Sequence, residues 1–314
     1  MPARRAAATR GPAGTARKPG EPARHFAVYG KGGSGKSTVT TNLSVQMARR
    51  GLRTLQLGCD PKRDSTRALV GGRRLKTVMD LLETHDLSRA GEPLKELLFE
   101  GISGIRCMEA GGPESGVGCA GLGIATTFRL IRENKLLEKF DVVLMDVLGD
   151  VVCGGFATPM MKGLAGGVVI VTSETPLSLY AANNISRAVK RYGRHGTYLI
   201  GVLANSLQKP DGAKTVERFA KAIGSRLIGV VPNDERIRQA EKKAVPVSVF
   251  AEGSDLDRKF RELAETLLTR SPADCPPPSP VPGTVENPGR QYDSCMTSVY
   301  AQRRARLAAQ LGAG

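Results

Sequence analysis

The chain has 314 residues, 40% hydrophobic and only 4% aromatic, with no tryptophan and a formal net charge of +16. That length and apolar fraction support one large α/β domain or two small ones, built on an aliphatic core. No apolar run is long enough to span a membrane, and six cysteines with neither a CxxC pair nor a preceding secretory signal argue against a disulfide framework and for a reducing, cytoplasmic setting.

In chain order, residues 1–24 form an Arg/Ala/Pro/Gly-rich basic tail, expected to be disordered. Apolar strand-like runs then recur at 25–30, 53–58, 104–110, 141–146, 167–172, 197–205 and 226–231. Helix-period segments lie between them at 36–50, 123–137, 176–193, 213–223 and 234–243, and residues 255–269 read as a final amphipathic helix. This alternation predicts an α/β fold with a doubly wound, mostly parallel sheet. The main domain is thus expected over 25–270, followed by a Pro-rich linker at 271–290 and a basic, helix-prone tail at 291–314. The net charge suits anionic ligands, nucleic acid or an acidic protein partner. No basic stretch is interleaved with aromatics, which favours a solvated basic surface over nucleic-acid binding.

The stretch GKGGSGKST at 30–38 follows the first strand and opens a helix. It fits the P-loop pattern. Backbone N–H groups of Gly30, Lys31, Gly32, Gly33, Ser34, Gly35, Lys36, Ser37 and Thr38 would cradle the phosphates of ATP, Lys36 would reach the β/γ-phosphates, and Ser37 would ligate Mg²⁺. A bare glycine turn is the weaker reading, because strand and helix flank the motif correctly. A second lysine, Lys31, is the signature of deviant P-loop ATPases. That likeness implies a homodimer in which Lys31 crosses to the partner's nucleotide.

The run DVVLMD ends at Asp146, the position of a Walker B carboxylate, so the fold is read as a P-loop NTPase of the deviant Walker A type. LGCDPKRDST places Asp60, Lys62 and Asp64 at the carboxyl end of the second strand, where open α/β sheets bind ligands. Either aspartate could simply cap the next helix; a switch role beside Mg²⁺ is favoured. Cys119 and Cys153 each sit among glycines, which let backbone N–H groups approach sulfur. A cubane cluster needs four thiolates, and a symmetric dimer would supply two from each subunit. On spacing alone, two buried thiols would be the ordinary reading.

Taken together, GKGGSGKS, CDPKRDST, EAGGPESGVGCAG, DVLGDVVCGGFA and YAANNI resemble the nitrogenase iron-protein family, over roughly residues 25–270. That family includes the iron proteins of nitrogenase and of the protochlorophyllide and chlorophyllide reductases. The resemblance implies an ATP-dependent electron donor with a dimer-bridging [4Fe–4S] cluster on Cys119 and Cys153. It implies phosphate and Mg²⁺ contacts from Lys36 and Ser37, with Lys31 reaching across the dimer. Asp60 and Asp64 match switch I; Asp146 and Asp150 match switch II, with Asp150 orienting the attacking water. Asn205, Pro232, Asp234 and Glu241 match the adenine-binding part. The implied partners are a separate catalytic component and an upstream ferredoxin or flavodoxin. Nitrogenase members carry arginine after CAG. Leu122 stands there in this chain and leans the reading toward a nitrogenase-like system. The alternative class is a spatial-organising ATPase of the ParA/MinD type, without a cluster. The +16 charge suits it; the glycine-flanked cysteines do not.

Overall fold

The apolar runs become strands of one eight-stranded sheet. The computed structural model describes residues 23–84, 93–112, 120–149, 151 and 154–281. In chain order the strands are β1 (Arg24–Tyr29), β2 (Thr54–Cys59), β3 (Phe99–Glu100), β4 (Arg106–Glu109), β5 (Val142–Val147), β6 (Gly167–Thr172), β7 (Tyr198–Ala204) and β8 (Leu227–Val230). Their spatial order is β3-β4-β2-β5-β1-β6-β7-β8. Among the described residues only the short edge strand β3 pairs antiparallel; every other pairing there is parallel. β1 is central, flanked by β5 and β6, so the P-loop emerges from the middle of the carboxyl edge.

Alternation along β1 explains the layers. Ala27 and Tyr29 enter one core, and Phe26 and Val28 enter the other. The first core is closed by α4 (Ala120–Glu133), α5 (Gly154–Met161), α6 (Pro176–Tyr192) and α7 (Gly212–Ala222). The second lies under α1 (Lys36–Arg49), α8 (Glu235–Lys242), α9 (Val247–Phe250) and α10 (Asp255–Thr269). Helix α10 shows the local logic. Ser254 accepts a hydrogen bond from Asp257 N, and Asp255 and Asp257 occupy the positive first turn. Leu256, Phe260, Leu263, Ala264 and Leu267 recur at helical spacing and face the core. Two further short helices, α2 (Val78–Thr84) and α3 (Pro93–Glu96), fill the β2–β4 connection. No described helix is long and apolar enough to cross a membrane.

Two features depart from the sequence reading. GGFATPMM forms α5, although it opens on two glycines and contains Pro159. Burial of Phe156 and Met160 against the sheet outweighs those poor propensities. The segment expected as a linker from 271 is anchored to the domain at intervals in its described part, to residue 281, with Cys275, Pro278 and Val281 buried between exposed residues. Asn183 both donates to Val281 O and accepts from Val281 N, Ser279 N donates to Ile223 O at 2.7 Å, and Cys275 and Val281 are buried. Proline lacks a donor, but the interspersed Ser279 and Val281 supply the anchoring N–H groups. Cys59 and Cys107 are core residues. Residues 1–22 and 282–314 lie outside the described residues, and with them the C-terminal tail and all but the last two residues of the N-terminal one; Arg24, expected in that tail, instead opens β1.

Candidate functional site

The P-loop is shaped by what presses on it. Gly35 has φ +81°, and a Cβ there would collide with Asn205 Nδ2. That amide instead donates to Ser34 O at 2.8 Å, so Asn205, at the end of β7, clamps the loop from 171 residues away. A Cβ on Gly149 would likewise strike Gly30 O, so the chain leaving β5 rests directly on the loop backbone.

Lys36 and Asp146 meet under the loop. Lys36 is 7% exposed and donates to Lys31 O at 3.3 Å. Burial pushes its pKa down, while the charges of Asp146, Asp60 and Asp64 pull it back up. Asp146 is 1% exposed. Burial pushes its carboxyl upward, against the charge of Lys36 and the nearby Ser37 and Ser65 hydroxyls. Those hydroxyls favour the anion, yet among the described residues neither carboxylate oxygen has a hydrogen bond of ordinary length and angle, and Ser34 Oγ is also without a partner there. Buried polar atoms left open in this way are costly unless a ligand completes them. Carboxylate, hydroxyl, amine and open loop amides together fit a Mg²⁺–polyphosphate.

Asp60 Oδ1 accepts from Lys62 N at 2.9 Å and shapes its own turn. Asp64 is exposed and lines a cavity of about 270 Å³ with Ser37, Thr38, Arg67, Glu241 and Pro246. Glu241 accepts from the Thr38 hydroxyl at 3.1 Å. Asp234 and Pro232 do not line this cavity. Asp234 caps α8, accepts from Arg236 N and pairs with the Arg236 side chain, which holds its pKa down at about 2. Lys31 and Lys62 are exposed. Asp150, Cys119 and Cys153 lie outside the described residues; Ala120 and Gly154, which follow the two cysteines in sequence, begin α4 and α5.

One group escaped the sequence reading. Glu109, at the end of β4, is 1% exposed and accepts from Thr66 N at 2.7 Å and Thr66 Oγ1 at 2.6 Å. Burial, with smaller contributions from Asp146 and Asp64, raises its pKa to about 8. Arg63 donates to Gly112 O at 3.2 Å and pairs with Asp80. Gly112 also packs so closely on Pro61 that a Cβ would clash. The 60–66 segment is therefore fastened to residues 109–112, the strand end that precedes the Cys119 stretch. A buried acid within a motif-rich strand end was the only available signal.

A profile of the 4Fe–4S iron sulfur cluster binding proteins of the NifH/frxC family matches residues 24–283. The nitrogenase iron protein of Methanospirillum hungatei is 45% identical over 258 residues, covering 81% of this chain and 91% of that protein. Nitrogenase iron protein 2 of Paenibacillus durus is 40% identical, covering 81% and 87%. Among solved structures, the cell division ATPase MinD of Pyrococcus furiosus aligns with a TM-score of 0.60 at 21% identity, covering 78% of this chain and 98% of that one. A ParA family ATPase of Chlorobium tepidum aligns at 0.58 and 15%, covering 78% and 98%. These two likenesses are of fold: a P-loop ATPase sheet. The matched profile and the length of chain shared with the iron proteins make this chain a member of the NifH/frxC family of 4Fe–4S cluster-binding proteins.

Proposed function

We propose that the chain is the ATP-hydrolysing electron donor of a nitrogenase-like reductase. Family membership carries the coarser statement: it is an ATP-dependent reductase component, of a family that binds a 4Fe–4S cluster at a dimer interface and uses MgATP. The observation that carries the site reading is Asp146. Its buried, open carboxylate faces Lys36 at the P-loop, and the chain beyond it leads in seven residues to Cys153.

In this reading Lys36 and the loop amides hold the phosphates, while Ser37 and Asp146 hold magnesium. Asp60 and Asp64 follow the phosphate end, Asp150 orients water, and Lys31 reaches the partner subunit's nucleotide. Asn205 and Glu241 border the nucleoside side. When bound, magnesium neutralises phosphate charge and the cluster stores the electron to be passed on. Cys119 and Cys153 of two copies supply four thiolates. Because Gly149 rests on Gly30, a change at the phosphates reaches the start of the 146–153 segment by direct contact. A ferredoxin or flavodoxin in a reducing cytoplasm would refill the cluster. Leu122 supports a nitrogenase-like acceptor over nitrogenase proper.

Iron, acid-labile sulfide and EPR on anaerobically purified protein test this. The expected result is about four irons per dimer, lost in Cys119→Ser and in Cys153→Ser. Metal-free protein that still dimerises with ATP after cluster reconstitution would overturn it and favour an organising ATPase.

A further inference from the structure

The chain leaving β6 carries a buried acid outside the phosphate and magnesium contacts. Glu174, just past Thr172, is 9% exposed. Its Oε1 accepts from Gln208 N at 2.8 Å and from Lys209 N at 2.9 Å. The same carboxyl presses on the start of α7, where a Cβ on Gly212 would come within 2.9 Å of Glu174 Cδ. An anion there faces the positive end of an 11-residue helix, and Gly212 N is itself tied to Lys209 O at 3.0 Å. Oε2 is buried without a partner among the described residues.

The two amides that Glu174 holds belong to the turn that carries Asn205. Asn205 N extends the sheet by donating to Thr172 O at 2.9 Å, and its side chain reaches Ser34 O in the P-loop. The next residue, Ser206, has φ +53°, in the left-handed region that an L side chain resists. A serine does not favour that conformation, so its surroundings have to hold it there. The turn is fixed at both ends: by Thr172 before Ser206 and by Glu174 after it. Two N–H groups converging on one charged oxygen hold more firmly than neutral hydrogen bonds do. Once they are released, Ser206 is free to relax toward an ordinary φ. That motion takes the Asn205 amide off Ser34 O and removes the support beside Gly35.

We infer that Glu174 is a positioning residue of the nucleotide site: it holds the 205–209 turn so that Asn205 clamps the P-loop in its phosphate-binding shape. This rests on the reading of residues 30–38 as the phosphate loop. Glu174 acts through Asn205 and not on the phosphates, and its own charge opposes them, because a carboxylate at this edge of the sheet repels a polyphosphate. The two effects have opposite signs. Loss of the charge alone would tighten nucleotide binding, whereas loss of the turn weakens it.

Calorimetric titration of the full chain with MgADP and with MgATP tests this. Glu174→Ala should weaken both by about tenfold or more, whereas Glu174→Gln, which keeps an oxygen for the two amides, should stay within about threefold of the wild type. Asn205→Ala should weaken binding as Glu174→Ala does. The double variant Glu174→Ala/Asn205→Ala should bind no more weakly than Asn205→Ala alone, because the two changes break one device. Val216→Ala truncates a buried side chain within α7; it should lower the melting temperature and leave the affinity intact. Unchanged or tighter binding by Glu174→Ala overturns the inference. So does equal loss in Glu174→Gln, an additive loss in the double variant, or a matching loss in Val216→Ala, which would mean that affinity only follows stability. Lys36→Ala reports the phosphate-loop reading separately. Nucleotide binding that survives it sinks that reading, and binding lost there but kept in Glu174→Ala sinks the role of Glu174 alone.

Discussion

Thr66 gives Glu109 both its backbone N–H and its hydroxyl proton, and the other carboxylate oxygen, Oε2, is buried without a partner among the described residues. Burial is the main cause of the rise in its pKa from 4.5 to about 8, so the folded protein holds a proton that the unfolded chain releases near 4.5. The sign follows: between those two values the native state binds more protons, so stability falls as pH rises, and the loss is complete above about 8. Glu109→Gln keeps the acceptor for Thr66 and removes the titration. Thermal unfolding of nucleotide-free protein from about pH 5 to about pH 8 should show a flatter decline in the variant. An identical slope would mean that Glu109 titrates normally. Such a residue is hard to find in sequence, because its partner is 43 residues away and joins it only at the sheet edge.

At the scale of elements, the crossing of α4 and α5 depends on two glycines, since a Cβ on Gly155 would collide with Gly121. Gly155→Ala should over-pack the crossing and cost about 1–3 kcal/mol, read as a lowered melting temperature. Gly154→Ala is the control, because a Cβ at that position meets nothing within 4 Å. Equal stability of the two variants would mean that the helices can part without cost. The P-loop was legible because its chemistry is local: turn, amides, lysine and serine fall within nine residues, 30–38. Helix α5 was not, because its glycines and Pro159 argue against a helix until Phe156 and Met160 are seen buried.

For the whole molecule, the proline-rich segment counts as part of the domain as far as residue 281. A chain ended after Arg270 loses both hydrogen bonds between Asn183 and Val281 and that from Ser279 to Ile223. It should melt below one ended after residue 283, where the family match stops. Equal melting temperatures would show that the segment only lies against the surface. The satellite core of Val45, Leu69, Val70, Leu75, Ile105 and Cys107 likewise joins residues from distant stretches.

The sequence by itself determined the strand and helix alternation, the parallel sheet, the phosphate loop and the motifs of the family, since each rests on periodicity or on residues a few positions apart. Only the tertiary structure decided that Asn205 clamps Ser34, that Asp234 is committed to its helix cap and Arg236, and that Glu109 holds Thr66. The same is true of Glu174 gripping the turn that carries Asn205. Those arrangements join side chains from different elements, and a pattern along the chain carries no distance between them until the sheet brings them to one edge.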